Sequence, residues 1–251
     1  MNSPYGNSVG VNDVPMRRRS TGVLNKEELV SARILRLERL DPEGVVRALE
    51  PFVNERRRER LLDVISKRLG SIAVVFESPH DPHNGAAVMR TCEAFGIQTL
   101  HVIESRERFL AAASVARGAE KWVDIVPHRT VDSALDTARG DGLELIATHP
   151  DGELLPADLA RIPRFALVLG NERDGISEPL TAACTRAVQV PMRGFVESLN
   201  VSVTAAILLA AATSGRAGDL EPTMRRRLYA RGLYLSAARA DDHLAHAGFS
   251  L

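Results

Sequence analysis

Three short segments hold residue types that bind and orient polar ligands: Asn84 with Arg90, Gly170-Asn171-Glu172, and Ser198-Leu199-Asn200. Amides and hydroxyls can both donate and accept hydrogen bonds, the Glu172 carboxylate accepts, and the Arg90 guanidinium presents a fork suited to phosphate. Gly85, Ala86 and Ala87 keep the turn after Asn84 small, so a ligand can approach backbone amides there. Each part also has a plain structural reading. Asn84 reads as a helix cap, Arg90 as a surface residue, and Gly170 to Gly175 as a turn. Ser198 and Asn200 read as caps of the apolar helix that follows. Asn84 and Arg90 stand six residues apart, about 240° around a helix, so they share a face only if the cap side chain turns out of register. No Gly-x-Gly-x-x-Gly follows the first strand and no phosphate-binding Gly-Lys-Ser/Thr loop occurs, which disfavours dinucleotide and P-loop chemistry. His80, His83 and His149 lack metal-ligand spacing, and no metal is expected. Cys92 and Cys184 each sit in an apolar pattern and read as reduced core residues.

These segments follow apolar, β-rich runs, which is where an open α/β sheet places its ligands. The runs are Ile72–Phe76, Thr99–Ile103, Trp122–Val126, Leu143–Ala147, Phe165–Leu169 and Ala187–Val190. Helical patterns fall between them at Asn84–Phe95, Val131–Arg139, Ile176–Thr185 and Leu199–Thr213. Strands alternating with helices predict an α/β fold with a mostly parallel sheet and helices on both faces. Residues 1–22 read as disordered, 23–70 as a helical N-terminal region, 71–216 as the α/β domain, and 217–251 as a helical C-terminal tail. The Leu199–Thr213 helix is apolar almost all round, so burial or a partner subunit must cover it.

The chain has 251 residues and a formal net charge of zero, which argues against capture of nucleic acid by bulk attraction. The charge is nevertheless uneven. Lysine occurs only at Lys26, Lys67 and Lys121, while arginines cluster at 17–19, 56–58 and 225–227. Arg forks fit phosphate, and the other reading of each cluster is a solvated helix face. The longest apolar run, Val201 to Ala212, is too short to span a bilayer, and residues 1–15 lack the pattern of a secretory signal. A cytoplasmic protein without membrane contact is expected.

Taken together, Asn84 with Arg90-Thr91, the Gly170-Asn171-Glu172 turn closing at Gly175, and Val190-Pro191-Met192 running to Ser198-Leu199-Asn200-Val201-Ser202 resemble the three motifs of the SpoU (TrmH-like) branch of the SPOUT RNA 2'-O-ribose methyltransferases. The finer likeness is to the tRNA guanosine-2'-O-methyltransferases, at Asp81-Pro82-His83-Asn84, Lys121-Trp122-Val123 and Ala147-Thr148-His149. The resemblance implies an α/β domain whose C-terminal part forms a trefoil knot around S-adenosylmethionine, with the site completed across a homodimer. It implies that Thr148, Gly170, Asn171, Val190, Met192 and Leu199 cradle the donor. By the same likeness Arg90, Asn84, Glu172, Ser198 and Asn200 form the catalytic group acting on a ribose 2'-hydroxyl, most similarly a D-loop guanosine of tRNA. A guanidinium resists deprotonation, so whether Arg90 takes the proton itself or holds a substrate phosphate that does so stays open at this point. The helical flanks are then candidate tRNA grips.

Three other readings remain open. One is a 2'-O-methyltransferase acting on ribosomal RNA or another tRNA site. Another is a non-catalytic RNA-binding protein of the same fold. The third, with no likeness invoked, is an unrelated α/β protein for a small ligand.

Overall fold

The computed structural model describes residues 33–79, 81–104, 118–171 and 173–249. The expected disordered stretch 1–22, the arginines at 17–19, His80 and Glu172 lie outside the described residues.

Among the described residues six parallel strands form the sheet: β1 (Leu69–Glu77), β2 (Ile97–Ile103), β3 (Asp124–His128), β4 (Glu144–Thr148), β5 (Phe165–Leu169) and β6 (Arg186–Val188). Their order across the sheet is β3-β2-β1-β5-β4-β6. Alternation along the central strands builds two core layers. Ile72, Val74 and Phe76 of β1, with Phe165, Leu167 and Leu169 of β5, join one cluster. Ala73 and Val75, with Ala166 and Val168, join the other. A strand covered on both faces reads as a continuous apolar run, which is why these two were legible as strands.

The first cluster is covered by α3 (Pro82–Ala94) and α6 (Val201–Thr213). The second is covered by α4 (Val131–Gly140) and α5 (Glu178–Ala183). Succession along the chain reverses between β1 and β5. The chain runs outward from β1 to β2 and β3, then crosses to β4 and returns to β5 beside β1. The crevice at the carboxyl ends of β1 and β5 is therefore the place this topology offers a ligand.

The helical flanks form one body. Helices α1 (Pro42–Leu49) and α2 (Glu55–Ser66) pack on α7 (Pro222–Ser236) and α8 (Ala240–His246) through Leu49, Leu61, Ile65, Leu228, Leu233 and Leu244. A Cβ on Gly232 would lie 2.7 Å from Leu61, so the glycine lets α2 and α7 approach closely. The expected helical stretch to residue 70 stops at Ser66, because Leu69 already pairs with Ile97 in the sheet. The C-terminal tail breaks near Arg239, whose φ of 56° lies in the left-handed region.

Some boundaries moved for local reasons. Asp81, not Asn84, caps α3: its carboxylate accepts from His83 N at 2.8 Å, and Pro82 occupies the first turn where a missing N–H costs nothing. The third strand begins at Asp124 rather than Trp122, since 119–121 form a 3-10 turn that Trp122 closes. Gly85 and Ala86 are buried where α3 meets α6, so their small size serves helix packing rather than an open surface.

Candidate active site

The loop after β5 and the segment after β6 meet beside the β1/β5 switch point, in a crevice at the carboxyl ends of β4 and β5. Gly170 makes the first loop possible. A Cβ there would fall 2.1 Å from the Gly175 carbonyl carbon, so only glycine allows the two backbone stretches to touch. Asn171 N donates to Gly175 O at 3.1 Å and Gly175 N returns a bond to Asn171 O at 3.2 Å, closing the turn. The Asn171 side-chain carbonyl accepts from Arg173 N and Asp174 N at 2.9 and 2.8 Å, so this side chain shapes the loop and leaves the backbone facing the crevice. Buried Glu77, at the end of β1, accepts from Ser177 N at 2.7 Å and fixes the far end of the loop.

The second segment is anchored twice. Residues 149–154 and 187–189 run side by side, with His149 N on Val188 O, Leu154 N on Ala187 O and Gln189 N on Leu154 O, each at 3.0 Å. A Cβ on Gly152 would meet the Val188 backbone at 2.6 Å, so this pairing too depends on glycine. Beyond it the chain crosses back to the crevice, where Asn200 caps α6 by accepting from Ser202 N at 2.8 Å. Asn200 Nδ2 then donates to Asn84 Oδ1 at 2.9 Å, joining the start of α6 to the first turn of α3.

Two cavities open beside this junction. One, of about 380 Å³, is walled by Thr148, Val190, Met192, Ser198 and Leu199 among others. The other, of about 480 Å³, has Gly170, Asn171, Gly175, Asn200 and Val201 in its wall. Thr148, Ser198, Leu199 and Thr204 line both, so the two are neighbouring lobes of one crevice. Thr148 Oγ1 donates to Val168 O at 3.0 Å, which leaves its methyl and backbone for the cavity. All six residues expected around a donor thus line this crevice: Thr148, Gly170, Asn171, Val190, Met192 and Leu199.

Of the expected catalytic group, Ser198 and Asn200 line the crevice and Asn84 reaches it through Asn200. Arg90 does not share it. Arg90 lines a separate groove of about 840 Å³ together with Arg57, Lys121, Trp122 and Leu235, between the helical body and the sheet domain. The angular offset along α3 explains the split. Thr204 and Gln189 were not singled out from sequence. Thr204 follows Asn200 by four residues on the same helical face, a signal that could have found it; Gln189 carries none.

Burial holds the nearby sulfur groups in their neutral form. The Cys92 thiol, on α3, is pushed up to about 12 by desolvation, with Arg68 opposing, and Cys184 is raised to about 11 by burial. Cys92 is a core residue, as its surroundings in the sequence suggested, whereas Cys184 is partly buried at the edge of the second cluster. Among the described residues no cluster of His, Cys, Asp or Glu could hold a metal ion. No described helix is long and apolar enough to cross a membrane.

Comparison with known proteins places this geometry. Residues 71–210 match the SpoU rRNA methylase family. A tRNA (guanosine(18)-2'-O)-methyltransferase of Escherichia coli strain K12 is 32% identical over 158 residues, spanning 62% of this chain and 69% of the relative. The structure of the A. aeolicus TrmH/SpoU tRNA modifying enzyme superposes with a TM-score of 0.62 at 25% identity, covering 74% of this chain and 98% of that one. The SpoU methyltransferase AviRb from Streptomyces viridochromogenes, in complex with AdoMet, gives a TM-score of 0.52 at 25% identity over 62% and 63% of the two chains. The match extends across more than half of the sequence, and the chain belongs to the SpoU rRNA methylase family.

Proposed function

We propose that this protein transfers the methyl group of S-adenosylmethionine to a ribose 2'-hydroxyl of tRNA, the D-loop guanosine being the foremost target. The observation that carries the reading is the Asn84–Asn200 hydrogen bond set beside a crevice walled by Thr148, Gly170, Ser198 and Leu199. The crevice fits the donor. Its lobes have the volume of a small-molecule site, and Gly170 and Gly175 bring backbone groups to the wall. Thr148, Gly170, Asn171, Val190, Met192 and Leu199 would hold the donor, which supplies an electrophilic methyl carbon for in-line displacement. Such a step needs chiefly the hydroxyl held at attack distance and angle.

In this reading Asn84, Ser198, Asn200 and Glu172 form the group that orients ribose and donor. Arg90 holds a substrate phosphate next to the reacting hydroxyl. The groove around Arg90 carries RNA, because Arg57, Arg90 and Lys121 put three cations along its wall and Trp122 and Phe95 add aromatic surface. Within one chain the crevice and the groove have no lining residue in common. A homodimer reconciles this, with Arg90 of one protomer serving the crevice of its partner. Support for a dimer comes from Val203 and Ile207 on the open face of α6, and from Met192, Phe195 and Val196 before it, all exposed apolar side chains. A knot around the donor would accord with a chain that pairs at the sheet edge as β6 and then returns to Asn84, past the end of β1, before forming α6.

We place the described residues 33–66 and 217–249 in a helical RNA-binding body flanking a methyltransferase domain that opens with β1 at Leu69, and the protein in the cytoplasm, where its RNA is. The test is incubation of the purified protein with labelled S-adenosylmethionine and unmodified tRNA or rRNA transcripts, followed by mapping of the 2'-O-methyl group. Label on a D-loop guanosine supports the reading to the level of substrate. Label on rRNA keeps the chemistry and moves the target. Donor binding without label leaves an RNA-binding protein of the same fold.

A further inference from the structure

Behind the groove lies a polar cluster that the transfer chemistry does not use. Arg231, on α7, is 4% exposed. Its Nη2 donates to Glu38 and, at 2.7 Å, to Asp124 Oδ1. Asp124 Oδ2 accepts from Gln98 Nε2 at 2.8 Å, and that amide also donates to Trp122 O at 3.0 Å. Arg68, likewise buried, donates through Nη2 to Trp122 O at 3.2 Å and to Ile97 O at 3.0 Å. Arg231 Nη1 points at Lys121 O with a longer contact of 3.5 Å. The half-buried carboxylates of Glu38 and Asp124 compensate the buried Arg231 guanidinium, Arg68 bonds to Gln98 and to backbone oxygens, and the chain of bonds ends on the carbonyls of the two residues whose side chains wall the groove.

We infer that Arg231 is a positioning residue for RNA: from α7 it holds the Lys121–Trp122 turn, and so sets the groove into which Arg90 opens. The planar Arg231 guanidinium spans the cluster, its Nη2 between the carboxylates of Glu38 and Asp124 and its Nη1 facing Lys121 O, a spread that the single nitrogen of an ammonium cannot cover. The helical body would then shape the groove as well as add charge to it. This inference rests on the reading that the groove carries RNA.

Trp122 is the sole tryptophan of the chain, so its fluorescence reports on the turn alone. The experiment compares the full-length protein with Arg231→Lys and with Tyr229→Phe, the latter removing the bond to Glu50 from Tyr229, which shares α7 with Arg231. Steady-state methylation of a tRNA transcript, calorimetry with S-adenosylmethionine and Trp122 emission are measured for each. Arg231→Lys should raise KM for RNA about tenfold with kcat and donor affinity within about twofold of the parent, a loss of binding shared by ground and transition states. Trp122 emission should shift in the same variant, and Tyr229→Phe should change neither. Unchanged KM and emission in Arg231→Lys overturn the inference, as does an equal rise in Tyr229→Phe, which would mark a general loosening of the helical body. Lys121→Ala separates the two levels. If it leaves RNA binding intact, the groove reading falls and the inference with it; if it raises KM while Arg231→Lys does not, the inference alone falls.

Discussion

Asn84 turns from the first turn of α3 toward a crevice walled by Thr148, Gly170, Leu199 and Thr204, whereas Arg90, less than two turns on, opens into a groove walled by Arg57, Lys121 and Trp122. The first region is shaped by backbone and mostly uncharged side chains, with Glu197 at its wall, on backbone pairings that only glycines at 170 and 152 allow. The second is a charged seam between two separately packed bodies. The contrast matches what each has to hold. A compact donor suits a crevice that offers contact and backbone hydrogen bonds, and a polyanion suits guanidinium and ammonium groups that stay near water.

Substitutions should separate the two regions. Arg90→Ala should give the largest effect, a fall in kcat/KM of about a hundredfold or more, because positioning at the reacting hydroxyl supplies most of the rate. Calorimetry with S-adenosylmethionine should show donor affinity unchanged, since Arg90 does not line the donor crevice of its own chain. Undiminished turnover would take Arg90 out of the reaction and leave the groove as a docking surface only.

Gly170→Ala tests the other side. Its Cβ would sit 2.1 Å from the Gly175 backbone, so the loop must move. Overpacking of this kind costs about 1–3 kcal/mol, equivalent to roughly 5- to 150-fold in donor affinity. RNA affinity, measured by filter binding without donor, should be preserved. A variant that binds the donor normally would show that the 170–175 turn is not part of the crevice wall that counts.

The shared scaffold should fail differently. Buried His101, on β2, contacts His128 through Nδ1 and Nε2 at 3.0 Å, and His128 in turn reaches Ser133 Oγ at 3.1 Å. Desolvation lowers His101 to about 4, His128 adding to the effect and Asp141 opposing it. The unfolded chain binds this proton near 6.5 and the folded one does not. Stability is therefore full above 6.5, falls as pH drops from 6.5 to about 4, and levels off below. Urea midpoints at pH 7.5 and 5 should differ in the parent and less so in His101→Gln. Loss of donor and RNA binding should occur together at low pH, unlike in the two variants above.

Much of the sheet and the crevice could be read from local pattern. Ile72 to Phe76 and Phe165 to Leu169 announce buried parallel strands, and Gly170 and Asn200 sit where a strand end and a helix start place them. The parts that could not be read are long-range. Nothing near Leu61 tells that Gly232 accepts it, so the two flanks appear in sequence as separate regions although they form one body. The cap of α3 was misplaced because Asp81-Pro82 and Asn84 both satisfy capping rules, and only the geometry of the preceding turn decides between them. The groove escaped for the same reason as the flanks: Arg57, Arg90, Lys121 and Leu235 come from four distant stretches.

Salt dependence offers the finest resolution of the contrast. Arg57 is exposed, and its Nε donates to Ser236 Oγ at 3.0 Å, which aims the guanidinium along the seam between α2 and α7. A cation that neutralises one phosphate contributes about one unit to the slope of log affinity against log salt. Arg57→Ala should lower that slope by about one, weaken binding to all RNAs alike and leave donor affinity unchanged. Arg161, exposed on the 3-10 turn Pro156–Arg161 and paired with Asp158 at 3.5 Å, lines neither region and is the control. Its replacement by alanine should leave the slope where it was. An equal change in both variants would mean that RNA senses the diffuse surface charge of the whole protein rather than the groove. A change confined to Arg57 would put phosphate in the seam, beside Arg90 and away from the crevice that Gly170 shapes.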